Sequence, residues 1–247
     1  MIPLYDDNPT IRTPYLTIGL IAACVRVYLW QWDLGALQQR VIYGLGFIPA
    51  VLFGSAQLPP KVALVPAEAT LVTSMFLHGG FWHLAGNMIY LWVFGNNIED
   101  VCGHARFLAF YLLCGLAAAF AQAAADPDSV IPMIGASGAI SGVLGAYLVL
   151  FPHARVYVLI PFFIMFMYYL PAKWLLGFWF VFQLISGVGA DPQQGGVAFW
   201  AHIGGFVAGM GLIFLFRDKN FVQRTRRRGK SRIPPTWVRN RARGPWG

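Results

Sequence analysis

The stretch Ile134–Gly142, IGASGAISG, opens an apolar run that reaches about Phe151, where Pro152 follows. As α-helix, Ser137 to Phe151 rises only about 22 Å, well short of the roughly 30 Å hydrocarbon core of a bilayer. Such a helix cannot begin at the membrane surface, so its N-terminus, with Ser137 on it, is expected inside a cavity. Gly138, Gly142 and Gly145 leave one face of this helix without side chains, so another helix can approach closely. A serine in a membrane helix ordinarily back-bonds to a carbonyl of the preceding turn. Two other apolar segments give this one a different meaning. One carries His83 and Asn87, four apart and therefore on one helix face; the other opens with His202 ahead of Gly205 and Gly209. Polar side chains in hydrocarbon are costly, and three such segments together read as a functional site.

The rest of the composition agrees with a lipid environment. Of 247 residues, 57% are hydrophobic and 11% charged, against about 25% charged in a soluble domain. The net charge of +8 is concentrated: eleven of the eighteen Lys and Arg lie from Arg217 onward. A basic tail after a membrane segment points to a cytoplasmic anchor rather than to nucleic acid. Cys24, Cys102 and Cys114 have no metal-ligand spacing and are expected as free, buried thiols; no metal or cofactor is implied. The N-terminus, MIPLYDDNPT, has neither the basic start of a signal peptide nor the look of a transit peptide.

The expected architecture is an all-α polytopic membrane protein of six spans. A segment 1–12 precedes a membrane domain 13–216, and a basic tail 217–247 follows. The spans are expected at about 13–32, 80–98, 106–125, 137–151, 174–187 and 199–216. The connection 33–79, broken by Pro49, Pro59, Pro60 and Pro66, is expected to lie partly in the interface with short helices of its own. The apolar, aromatic stretch 155–173 contains Pro161 and Pro171 and is read as an interfacial or re-entrant connection. Six spans put both termini on one side. Arg106, Arg155, Lys173 and the tail share that side, while Arg40 and Lys61 lie opposite, which places both termini in the cytoplasm. The expected location is a bacterial inner membrane.

The chemistry follows from residue types. A serine hydroxyl needs a base within hydrogen-bond reach to act as a nucleophile at neutral pH. His202 opens the last span as Ser137 opens the fourth, both at the same outer level, and the glycines on the two helices would let them meet. Asn87 and His83 carry N–H groups of the kind that stabilise an oxyanion beside the nucleophile's own backbone amide. The plainer reading is that the glycines only pack helices, His202 is a satisfied interior histidine and Asn87 bonds between helices. Ser141, one turn further in, is the rival nucleophile.

This combination resembles the rhomboid family of intramembrane serine proteases. The H-x-x-x-N pattern of the family matches His83–Asn87, its G-x-S-G matches Gly135–Gly138, and its A-H-x-x-G-x-x-x-G matches Ala201, His202, Gly205 and Gly209. The resemblance covers about Leu77 to Phe216. It implies Ser137 as nucleophile, His202 as general base and then acid, and Asn87, His83 and the Ser137 N–H as the oxyanion hole, without a third triad member. It also implies a polar structural or water-retaining role for His78 near the cavity mouth, and a bracing role for Glu99. The implied substrates are transmembrane proteins whose helix unwinds near the site, with a small residue before the cleaved bond. Two departures stand out. Some members carry an aromatic residue one turn after the nucleophile, where this chain has Ser141, so something else must orient His202. Some carry an arginine shortly after the glutamate, where this chain has Asp100 and Val101. The segment SGVGADPQQGG, at 186–196, would be a movable cover over the site. Non-catalytic recognition of unstable membrane helices, or transport of a small solute, are the rival functions. The intact Ser137, His202 and Asn87 count against the first. The lack of an acidic residue within a span or of a second broken helix counts against the second.

Overall fold

The computed structural model describes residues 1–161, 165–190 and 196–219. The expected tail beyond 219 and residues 191–195 of the expected cover lie outside them. Among the described residues, six long helical rods form a bundle with a small sheet at one end. The first strand, β1 (Ile2–Asp6), precedes helix α1 (Tyr15–Asp33). The long connection that follows contains the short helices α2 (Gln38–Leu45), α3 (Pro49–Leu52) and α4 (Ala67–Thr73). The second rod is continuous but not uniform. It starts as α5 (Phe81–Tyr90), widens into a π-helical turn at Leu91–Gly95, and ends as α6 (Asn96–Cys102). Next come α7 (His104–Ala125) and the central α8 (Ser137–Leu150), then strands β2 (Arg155–Pro161) and β3 (Met165–Pro171). The last two rods are α9 (Ala172–Gly189) and α10 (Phe199–Phe216). By length and composition α7, α9 and α10 can each cross a membrane. α8 has only 14 residues, ten of them buried, and sits at the centre of the bundle as its length requires.

Small residues set the spacing around α8. A Cβ on Gly205 would collide with the Gly138 carbonyl, one on Gly209 with the Gly142 carbonyl, and one on Gly145 with the Phe206 carbonyl. On the α7 side, Gly138 meets Ala118 and Gly142 meets Cys114. α8 therefore touches α10 backbone to backbone. Tyr147, Phe94, Phe107 and Phe110 fill the space toward its other end, all fully buried.

The stretch 155–171 departs from expectation. It forms a β-hairpin, and β1 completes a three-stranded antiparallel sheet in the order β1-β2-β3. Val156 and Val158 face the core and are fully buried. On the other face the rings of Tyr5, Tyr157 and Tyr169 cluster with centroids 4.7–6.1 Å apart. Alternating branched and aromatic residues favour this pairing. Pro161 and Pro171 lie at strand ends, where a missing N–H costs no ladder bond.

Carboxylates hold the N-terminal segment to the bundle. The start of α1 has no cap of its own side chains. Instead Glu99 accepts from the Leu16 and Thr17 amides (2.9 and 2.7 Å) and from the Thr17 hydroxyl (2.7 Å). Asp100 accepts from the Ile11 and Arg12 amides, both at 2.8 Å. Glu99 thereby satisfies amides that a helix start otherwise leaves open, at the positive end of the helix, while Asp100 ties down the chain just before it. On β1, Asp6 accepts from Tyr147 Oη and, at 2.9 Å, from Asn97 Nδ2.

Two outcomes follow from this packing. Gly209→Leu forces a side chain into the Gly142 backbone. We expect it to destabilise the bundle by about 1–3 kcal/mol or more, read as a lowered thermal midpoint in detergent. Burial, with the neighbouring Asp7 charge, pushes the Asp6 carboxyl up to about 6, although its hydrogen bonds to Tyr147 and Asn97 oppose this. A carboxyl raised in the folded state favours folding when protonated. Its contribution is full below the ordinary value of about 4 and is lost as pH rises toward 6. Hydrogen exchange of β1 should therefore quicken between pH 4 and 6 beyond the chemical rate, and Asp6→Asn should abolish that excess.

Candidate active site

The site lies in a cavity of about 710 Å³ inside the bundle, lined by Ser137, His202, Asn87 and His83 among others. Three features of the chain put Ser137 there. Phe47 and Met133 exchange backbone hydrogen bonds (3.0 and 2.7 Å), tying the approach to α8 to the long connection. The Gly135 amide donates to the Ser74 carbonyl at 2.9 Å. Gly135 has φ +120°, a conformation that side chains rarely adopt. A Cβ at this position would also lie 2.8 Å from His83 Nε2 and 3.7 Å from Asn87 Nδ2. The glycine before the serine thus leaves room for the two amide-bearing and imidazole groups beside it. Ser137 then begins α8, where open N–H groups and the positive end of the helix face the cavity.

Ser137 Oγ and His202 Nε2 are 2.8 Å apart. His202 is held on its other side as well: Nδ1 lies 2.8 Å from Oε1 of Gln183 on α9. The Trp179 ring, one turn earlier on α9, is 5.9 Å from the imidazole and inclined at 34°. The start of α10 is fixed by the Ala201 amide, which donates to Gln122 Oε1 on α7 at 3.3 Å. Ser141 is 1% exposed, and its hydroxyl donates to the Ser137 carbonyl at 2.6 Å. The rival nucleophile is thus a back-bonded helix serine of the ordinary kind.

Asn87 is buried, and among the described residues its Nδ2 has no hydrogen-bond partner. His83 Nδ1 accepts from the Gly79 amide at 3.3 Å, which leaves the ring proton on Nε2, the nitrogen beside Gly135. Both groups thus present N–H to the space next to Ser137. His78 is placed differently from expectation. It is fully buried behind His83, their rings 5.2 Å apart, and it does not line the cavity. Its backbone exchanges hydrogen bonds with the Gln31 carboxamide on α1, which holds the turn before α5.

Glu99 sits in the middle of α6, under the start of α1, and its other partner is His104 Nδ1 at 2.5 Å. Gly138, Gly205 and Gly209 lie in the α8–α10 contact. Gln183 was not anticipated, although the signal was present: it is the lone carboxamide in the apolar run of α9. The described residues contain no group of His, Cys, Asp and Glu arranged to hold a metal ion.

The sequence is similar to that of known proteins. Residues 67–219 match the rhomboid domain, and the chain belongs to the rhomboid family, a family of intramembrane serine proteases. It is an integral membrane protein. Among its relatives, "Rhomboid protein 1, mitochondrial" of Saccharomyces cerevisiae is 29% identical over 208 residues, covering 77% of this chain and 56% of that protein. "Rhomboid protease GluP" of Bacillus subtilis is 44% identical over 78 residues, covering 32% of this chain and 15% of that protein. "Presenilin-associated rhomboid-like protein, mitochondrial" of Homo sapiens is 32% identical over 139 residues, covering 56% of this chain and 33% of that protein. The chain thus spans little more than half of the yeast relative and a third of the human one.

Proposed function

We propose that the chain is an intramembrane serine endopeptidase that hydrolyses peptide bonds in or near the transmembrane segments of other proteins. The observation that carries this reading is the 2.8 Å contact of Ser137 Oγ with His202 Nε2, inside a cavity enclosed by apolar helices. Ser137 gives its proton to His202 as its oxygen attacks the substrate carbonyl. The negative charge that develops on the substrate's carbonyl oxygen meets the Ser137 N–H, Asn87 Nδ2 and His83 Nε2–H. His202 then passes the proton to the leaving amine, and a water molecule activated by the same imidazole releases the acyl group from Ser137. Membrane proteins are the substrate class, because the cavity is lined by residues of the apolar helices of an integral membrane protein. His78 and Glu99 act as structural supports.

We further place both termini in the cytoplasm of a bacterial cell, with residues 1–12 and the tail 217–247 flanking the membrane domain 13–216 and the cavity opening outward. The distribution of Lys and Arg supports this orientation.

Purified enzyme in liposomes with a single-span model substrate tests the chemistry. Wild type should cleave and react with a fluorophosphonate. Ser137→Ala and His202→Ala should each lose at least about a thousandfold in rate, and Asn87→Ala about a hundredfold. Cleavage that persists in Ser137→Ala overturns the assignment. For the orientation, a C-terminal green fluorescent protein fusion should fluoresce and an alkaline phosphatase fusion at the same point should stay inactive; the reverse pattern overturns it.

A further inference from the structure

Rings of histidine in a catalytic pair need two things fixed: which nitrogen carries the proton, and where the ring points. In this chain neither is supplied by α10, which carries His202, or by α8, which carries Ser137. The residue one turn after Ser137 is Ser141, whose hydroxyl is committed to the Ser137 carbonyl. Both are supplied by α9. Gln183 is 5% exposed, and its Oε1 lies 2.8 Å from His202 Nδ1. A carboxamide oxygen only accepts, so Nδ1 must donate and carry the ring proton. The lone pair of Nε2 is then left facing Ser137 Oγ, the arrangement a general base requires.

We propose that Gln183 is the positioning residue of this site, holding His202 in the tautomer and orientation that can take the Ser137 proton. The proposal rests on the reading of Ser137 and His202 as nucleophile and base. Gln183 is a positioning residue and not a catalytic one, because it does not line the cavity and reaches the chemistry only through the imidazole. Trp179, four residues earlier on the same face of α9, adds the flat surface against which the ring rests. When His202 takes the proton, the Nδ1–H bond to Oε1 persists and the amide dipole supports the positive ring, without a third titrating group. The site therefore draws on four helices, α5, α8, α9 and α10, and α9 contributes the part that sets the base.

The test uses the full chain in nanodiscs. Gln183→Leu and Gln183→Met remove the acceptor while keeping bulk. Each should lower kcat by about ten- to a hundredfold, the scale of a small misplacement of a catalytic group, with KM and the thermal midpoint close to wild type. Gln183→Glu keeps an acceptor oxygen at the same reach and should recover most of the rate. The ¹⁵N spectrum of histidine, with the His202 signals assigned by difference from His202→Ala, should show the Nδ1–H tautomer in wild type. In Gln183→Leu it should show a mixture shifted toward Nε2–H. Unchanged kcat and tautomer in both apolar variants overturn the proposal and leave the Ser137–His202 pair standing. A lowered midpoint with raised KM, not restored by Gln183→Glu, makes Gln183 a packing residue and overturns it too. A wild type that neither cleaves nor reacts with fluorophosphonate overturns the underlying pair, while the tautomer spectrum still reads the Gln183 bond separately.

Discussion

Everything in the bundle depends on how closely α8 approaches α10. The glycines at 205 and 209 rest against the carbonyls of Gly138 and Gly142, so the two axes come as near as backbones permit. Lipid tails are as apolar as the side chains, and no hydrophobic force drives helices together inside a membrane. Close dispersion contact and buried polar pairing do so instead. The same contact aligns the first residue of α8 with the first turn of α10, which is what brings an oxygen and a nitrogen from residues 65 apart in sequence to 2.8 Å. α7 meets the pair with Cys114 and Ala118, because a larger side chain there would push α8 away. Packing and chemistry are therefore not separable on this helix.

A second set of contacts works at the opposite end and uses charge rather than shape. Glu99 and Asp100 are both buried, and together they take up four backbone amides and one hydroxyl of the N-terminal segment. A buried carboxylate is stable only when its oxygens are satisfied, and an uncapped helix start is stable only when its amides are. Each deficiency meets the other. The consequence is that α1 is fixed in place by α6 and in turn holds His78 through Gln31.

Much of this was readable in the residues. The six rods, the short α8 and the meeting of Ser137 with His202 all follow from hydropathy, helix rise and small-residue spacing, which are properties of short windows. Phe199–Phe216 was located to the residue, because a polar loop and a basic residue bound it. The sheet was not readable. Its strands are 7 residues each in the hairpin and 5 at the N-terminus, and the pairing of Asp6 with Val156 joins positions 150 apart. An apolar run of that length with prolines at its ends looks the same whether it crosses, dips or pairs. The partner of Glu99 is not legible in the residues, because His104 meets it only through the turn between two helices. Gln183 was overlooked for a related reason. A single amide on an apolar helix carries no spacing of its own, and its meaning comes from a histidine 19 positions later.

The sheet also has a bearing on how the chain is assembled. Among the described residues β1 pairs with β2 alone, which follows four of the helical rods, so β1 cannot find its hydrogen-bond partners until the central helix is in place. Both strands must then be on the same face of the bilayer. An odd number of crossings between them would leave the tyrosines of one strand and the valines of the other separated by the hydrocarbon. The sheet thus acts as a parity check on membrane insertion: it can close only around a chain that has crossed an even number of times.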